Sequence, residues 1–431
     1  MTTNTTPRGT GLLLALTLLN VLNWADRYLI ISFSTAIIPE LGLTNLQFGL
    51  LTGVVFTAVY TIIGLFMGSL ADRVHRPKLI AVGLALWSAL TAATGMAKNF
   101  GQMAVARMLI GVGEACLSPA ALSMLAERFP PARRAFAGGF YYLALPVGIG
   151  GSFMFAAAVG PTLGWRGGFM LLGGIGVAAA LLVWLLMRDP SREIAASGAV
   201  RPKGSFTESF GAMLHELRRN PTFALTMLGL TTMVFAQGAG VLDLLWWVKE
   251  RGYSVAQAQK EIGLIFLVGG VLGAVLGGMG CDWAHQRFAA GRLKFLAWAF
   301  LLTVPLALAY RVAPAHSAQF YVLAFVASMF AMLLYGPAVT LAQEQVPPQH
   351  RASAIALFFL AGALIGAGGG NATVGALADY FAGAGYGEPI TLAIIVTSSV
   401  GLLSIPLLFL AARAQIRAGS IKSTQMPTSE L

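Results

Sequence analysis

Four ionisable residues in apolar surroundings mark where this sequence could do chemistry. Asp26 and Arg27 lie in Leu18-Leu19-Asn20-Val21-Leu22-Asn23-Trp24-Ala25-Asp26-Arg27-Tyr28-Leu29-Ile30, in the middle of an apolar run over 11–38. Arg107 and Glu114 bound Arg107-Met108-Leu109-Ile110-Gly111-Val112-Gly113-Glu114 in a later run. Runs this long cross a bilayer as helices, and a charge at mid-membrane costs at least about 2.5–3.5 kcal/mol. The four groups must therefore face protein or a water-filled cavity. Either they are structural ion pairs that hold helices together, or they bind a proton, a charged substrate group, or both in turn. Burial raises a carboxylate pKa and a neighbouring arginine lowers it. A helix that moves can switch which effect prevails, so that a proton is taken on one side and released on the other. The arginines could instead hold an anionic substrate group, in competition with the carboxylates.

Helical geometry orders these side chains. Asn20, Asn23 and Arg27 follow i, i+3, i+7 spacing and share one face. Asp26 and Arg27 diverge by about 100°, so each should meet a different neighbour. Arg107 and Glu114 stand two turns apart on one face, about 10.5 Å along the axis. Gly111 and Gly113 between them leave room for another helix or a substrate.

The elements that must position these groups follow from composition. The 431 residues are 57% hydrophobic and 10% charged, against roughly 25% charged in soluble proteins. The chain reads as a polytopic all-α membrane protein with twelve spans, near 11–38, 46–71, 78–97, 101–125, 135–158, 168–187, 221–245, 258–280, 293–311, 317–341, 352–378 and 389–412. With the N-terminus inside, twenty basic residues fall on the inner connections and six on the outer, while Arg27 and Arg107 lie within spans. That bias places both termini in the cytoplasm, and it explains the net charge of +11 by topology rather than by nucleic-acid binding. The first run is too long and too charged at its centre for a cleavable signal. Cys116 and Cys281 have no metal-ligand spacing and read as free buried thiols.

The two halves repeat. Gly68 to Arg73, with Asp72 at a span end, is matched 210 residues later at Asp282, and Glu127-Arg128-Phe129-Pro130-Pro131 is matched 217 residues later at Glu344-Gln345-Val346-Pro347-Pro348. This divides the chain into a six-helix half over 1–187, a linker over 188–220, a second half over 221–412 and a tail over 413–431. Two such halves describe a rocking transporter with its site between them. In the linker Phe206, Phe210, Met213, Leu214 and Leu217 recur at helical spacing, which predicts an amphipathic helix on the membrane surface.

The second half carries no equivalent of the four charges. Gln237 is mid-span, while Asp243, Asp379 and Glu388 lie near outer ends and are expected to be solvated. The coupling residues should therefore belong to the first half. At the inner ends Gly68, Asp72, Arg73, Arg76, Arg134, Asp282 and Arg351 form a candidate cytoplasmic gate, in which charges pair across the halves. Among the many aromatics Tyr60, Tyr141, Tyr142, Phe235 and Phe358 are candidates for lining a cavity. No Gly-x-Ser-x-Gly, metal cluster or phosphate loop appears, and the five histidines lie in loops or at span ends, so no enzyme and no cofactor is expected.

The repeat, the linker and the loop with Asp72, Arg73 and Arg76 resemble the major facilitator superfamily. Within it, Asn23-Trp24-Ala25-Asp26-Arg27-Tyr28, Arg107 with Gly111-Val112-Gly113-Glu114-Ala115, Tyr141-Tyr142-Leu143-Ala144-Leu145-Pro146-Val147-Gly148-Ile149-Gly150 and Gly164-Trp165-Arg166 are similar to the Spinster lipid transporters. The detailed match covers 20–190. It implies a proton-coupled carrier of lysophospholipids, sphingoid lipids or hydrophobic drugs that works by alternating access as a monomer. By that resemblance protons are the coupling ion, at Asp26 and Glu114. Arg27 and Arg107, with Asn23, would pair with these carboxylates or with the headgroup. The chain has no long extramembrane domain, which implies a bacterial inner-membrane protein in contact with membrane lipid. Organic anion:proton symporters of the same superfamily share the Asn-x-x-Asp-Arg and Gly-x-x-Glu-Ala segments, and remain the alternative.

Overall fold

The computed structural model describes residues 7–71, 73–189, 216–333, 335–347 and 351–424, and these are almost entirely helical with no strand among them. Eleven helical stretches are long and apolar enough to span a membrane. They are α1 (Gly9–Ser32), α2 (Asn45–Gly64), α3 (Arg76–Thr94), α4 (Phe100–Arg128), α5 (Phe136–Leu186), α6 (Pro221–Lys249), α7 (Val255–Arg287), α8 (Gly291–Val312), α9 (Ala318–Glu344), α10 (Ser353–Gly383) and α11 (Pro389–Ala418). The 51 residues of α5 would extend about 76 Å as one rod, more than twice the apolar thickness of a bilayer. The chain instead folds back at Gly164, whose φ of 64° favours a residue without Cβ. Its two limbs are two spans, so eleven stretches make twelve crossings. The predicted linker helix lies almost wholly outside the described residues; only 216–219, with Leu217, is seen as helix.

Helix starts follow from local chemistry. Thr44 and Gln47 form a reciprocal capping box at the head of α2, and Asn99, Asn220 and Ser254 cap α4, α6 and α7. Four breaks interrupt spans of the second half. Segments of 3₁₀ helix, Gly238–Leu242 and Val400–Leu403, interrupt α6 and α11, and π turns occupy Phe266–Gly270 in α7 and Gly362–Gly368 in α10.

Helices α1–α5 form one half and α6–α11 the other, each around its own apolar core. The halves meet mainly at the end remote from the linker, here the far end, where α2 packs on α10 and α5 on α7. Glycines set that approach. A Cβ on Gly49 would lie 2.1 Å from the Asn371 carbonyl oxygen, and one on Gly150 would lie 2.7 Å from that of Gly263. Polar bonds cross the same seam: Gln259 Nε2 donates to the Ser32 carbonyl at 2.7 Å, and Asp379 accepts from Asn45 N, Asn45 Nδ2 and Leu46 N at 2.8–3.0 Å. Asp379, expected to be solvated, thus helps to cap a helix of the opposite half. At the linker end 117–142 and 335–344 pack chiefly within their own halves.

Gly49→Val should therefore oppose this arrangement. Overpacking costs about 1–3 kcal/mol, enough to shift a two-state balance about 5- to 150-fold. Spin labels at Leu46 and Tyr380 should report longer far-end distances in the variant. An unchanged distribution would show that the seam yields locally.

Candidate functional site

The four charges predicted from sequence come together in the first half, between α1, α3 and α4. Arg27 Nε donates to Glu114 Oε2 at 2.5 Å, and Asp26 Oδ2 accepts from the Thr91 hydroxyl at 2.6 Å. The two neighbours on α1 thus turn to different partners, as their 100° divergence requires. Arg107 Nη2 reaches the Arg27 carbonyl at 3.4 Å. Asp26 lies within electrostatic range of Glu114, Arg107 and Arg27. Two cations and two anions make the cluster formally neutral, which is what burial demands.

Exposure separates the roles these groups can play. Asp26, Arg107 and Glu114 are buried to within 2% of complete, whereas the Arg27 side chain keeps 13% exposure. Its guanidinium lies 4.1 Å from the Tyr60 ring centroid, 4.7 Å from Trp24 and 5.0 Å from Phe56. Cation–π attraction at such range, about 0.5–2 kcal/mol for each ring, holds a charge that must also face an opening. The Arg107 guanidinium also lies 4.8 Å from the Phe56 ring centroid. Several atoms remain free to bond. Asp26 Oδ1, Glu114 Oε1 and Arg107 Nε and Nη1 are buried without a hydrogen-bond partner. Asn23 neighbours Glu114, and its Nδ2 makes no hydrogen bond of good geometry. A network with spare donors and acceptors can exchange partners at little cost, which a saturated one cannot.

The supporting residues are mixed in legibility. Asn20 anchors α1 by donating to the Tyr141 carbonyl at 3.1 Å. Tyr141 itself is fully buried and touches Ser118 through its hydroxyl, and Phe358 is 2% exposed in the second-half core; both are packing residues rather than cavity lining. Tyr60 and Tyr142 lie within range of one another, Tyr142 being exposed. Phe235 packs on the glycines of α10. Thr91, a lone mid-span threonine, gave no sequence signal of its role. The Gly164-Trp165-Arg166 segment has a mechanical one. Trp165 Nε1 and Arg166 Nε donate to Glu40 at 2.6 and 3.0 Å, and Arg166 also binds the Gly95 and Ala97 carbonyls. The Trp165 hydrogen bond above all, then Arg166, holds the Glu40 carboxyl below the usual range.

The candidate gate residues pair differently from the expectation. Arg76 bonds Glu127 at 2.6 Å and Ser123 at 2.9 Å in its own half, and Asp189 at the start of the linker at 2.7 Å. Arg292 bonds Asp282 at 3.4 Å and Glu344, all in the second half, and Arg134 donates to the Phe129 carbonyl. Glu127 and Glu344 sit at repeat-related places, and neither cluster bridges the two halves. Arg73 is exposed in the turn before α3 and Gly68 lies within the helical run Val54–Ala71, while Asp72 and the Arg351 side chain lie outside what the structure describes. Both cysteines are free and buried, as expected.

Comparison with known proteins agrees with this geometry. The family model described as Major Facilitator Superfamily matches residues 16–370. An MFS-type efflux pump of Mycolicibacterium smegmatis is 29% identical over 84% of this chain and 83% of its own length. Protein spinster of Drosophila melanogaster is 26% identical over 84% of this chain and 60% of its own, and human spinster homolog 1 is 31% identical over 55% and 45%. The chain thus spans only part of these animal relatives. Among solved structures, a bacterial homolog to the human lysosomal transporter Spinster, in an inward-facing and unoccupied conformation, superposes with a TM-score of 0.83 at 24% identity, covering 96% of this chain and 99% of that one. With two six-crossing halves, a charge cluster buried in the first and that family match, the chain belongs to the major facilitator superfamily, as a multi-pass membrane transporter and not an enzyme, and it is similar to the Spinster proteins.

Proposed function

We propose that this transporter couples proton movement to the passage of a single-chain amphiphile, a lysophospholipid, a sphingoid lipid or a hydrophobic drug, by alternating access. The observation that carries this reading is Arg27, a partly exposed guanidinium held by Glu114 and framed by Trp24, Phe56 and Tyr60. A headgroup phosphate or carboxylate would displace Glu114 from Arg27, and the released carboxylate would take a proton so that no net charge is left buried. Arg107 would steady the same headgroup. Asp26, held by Thr91 on the other face of α1, would exchange the second proton. The linker end would face the cytoplasm of a bacterium, so the present arrangement would be open inward.

The alternative, a small organic anion:proton symporter, draws on one feature, Arg311 of α8, which is 8% exposed and lines a half-open cavity within the second half. Flux decides between them. In proteoliposomes a labelled lysophospholipid should move only with a pH gradient, and Arg107→Ala should weaken its binding by about tenfold or more, the scale of a charge-assisted hydrogen bond. Movement of a small organic acid alone would establish the alternative. Unchanged lipid affinity in Arg107→Ala would confine that residue to structure.

A further inference from the structure

The repeat provides a counterpart to Asp26, the first acidic residue of the chain. Asp243 stands 217 residues after Asp26 and Gln237 the same distance after Asn20, the interval that also relates Glu344 to Glu127. Asp243 keeps 20% side-chain exposure but is paired within the protein rather than left to water. Its Oδ1 accepts from Nη1 of Arg311 at 2.8 Å, and Arg311, which the sequence places in an outer connection, is only 8% exposed. The guanidinium lies 4.6 Å from the Tyr310 ring and 4.7 Å from Trp246.

This pair borders a half-open cavity of about 150 Å³ lined by α6, α7, α8, α9 and Ser398 of α11, walled mostly by apolar groups such as Ile262, Phe266 and Ala307. Two polar atoms of residues on its wall are buried with no partner: Nε of Arg311 and Oγ1 of Thr303, a residue only 3% exposed. A buried donor left unmatched is costly, so both positions suit a ligand that accepts hydrogen bonds. An apolar cavity of similar volume accommodates a benzene ring. The other titratable groups within range of Asp243 are Tyr310 and, from α1 of the first half, Tyr28.

We propose that this cavity is a second binding site, for a small organic monoanion with an apolar body about one ring across, whose oxyanion takes Arg311 while Asp243 takes up a proton. Charges balance: the pair is neutral when empty, and the anion enters with one proton from solution, so the filled site is neutral too. No covalent bond changes except the O–H formed on Asp243. The site stands independently of the lipid reading and does not involve Arg27.

Benzoate is the probe. Titrated into the purified full-length protein in detergent, it should bind saturably with quenching of Trp247, which also lines the cavity. Binding should tighten as pH falls, with calorimetry in buffers of different ionisation heat reporting proton uptake. Arg311→Gln should weaken it by at least about 30-fold. Asp243→Asn should bind without proton uptake and with a flat pH profile. Ala307→Leu fills the cavity while leaving both charged residues in place, and it should abolish binding even if the arginine variant fails to fold. Absence of saturation, binding without proton uptake in the wild type, or binding that survives Ala307→Leu would overturn the proposal. Loss of benzoate binding in Arg27→Gln but not in Arg311→Gln would overturn it as well, by moving the probe to the first-half cluster.

Discussion

Asp26→Asn should abolish proton-driven accumulation while leaving a folded, monodisperse protein. The substitution keeps the shape of the side chain and a partner for Thr91, whose hydroxyl now donates to Asp26 at 2.6 Å. It removes the only group on that face of α1 that gains or loses a proton. The variant also leaves the cluster net positive, but no arginine hydrogen-bonds Asp26, so stability should fall by about 1.5–3 kcal/mol, the worth of a hydrogen bond to a charged group. Concentrative uptake into proteoliposomes should fall by at least about 100-fold, to equilibration, because a carrier that cannot exchange the proton gains nothing from its gradient. Exchange of labelled for unlabelled substrate, which needs no net proton movement, should persist. Accumulation at the wild-type rate would show that Asp26 is structural and that coupling lies elsewhere.

Glu114→Gln should be the more damaging change to the fold. It leaves the Arg27 guanidinium without its 2.5 Å carboxylate partner and gives the cluster a net positive charge among buried groups. Breaking a buried pair from one side costs about 3–5 kcal/mol, whereas replacing both partners by apolar groups is often neutral. The double variant Arg27→Met with Glu114→Met should therefore melt closer to wild type than Glu114→Gln alone, while losing transport. Thermal unfolding followed by tryptophan fluorescence measures both. If the single variant melts as wild type, the three aromatic rings around Arg27 suffice to hold the charge. In whatever Glu114→Gln protein remains folded, the pH at which the two halves rearrange should move.

Much of this was legible because membrane insertion makes charge placement informative. Asp26, Arg27, Arg107 and Glu114 stood out against apolar runs, and the divergence of Asp26 from Arg27 foretold two separate partners. The twelve crossings were legible from hydropathy, although the turn between the fifth and sixth is a single glycine within one helical run, far shorter than the loop expected over 159–167. Thr91 was not legible, since a mid-span threonine more often bonds its own helix, as this one also does to Trp87. Asp243 and Arg311 were misread because each lies near a span end, where water is the default partner; the 217-residue interval, applied to Asp26, would have singled out the first. The inner-end charges were read as a latch between halves. Which partner such residues take depends on the conformational state, and sequence does not encode a state. Asp379 shows the same limit from the other side, for its partners lie more than 330 residues away across the seam.

The glycine seam bears on permeability. Where Gly49 meets Asn371 and Gly150 meets Gly263, backbone touches backbone, with no side chain between to leave a gap a water could thread. Such a contact offers no wire for protons and no path for ions, so the gradient that would drive the carrier does not drain through it. Backbone contact also buries little area, and dispersion fades within an ångström of separation. What else holds the seam is polar: parting it must also break the bonds of Gln259 to Ser32 and of Asn45 and Leu46 to Asp379.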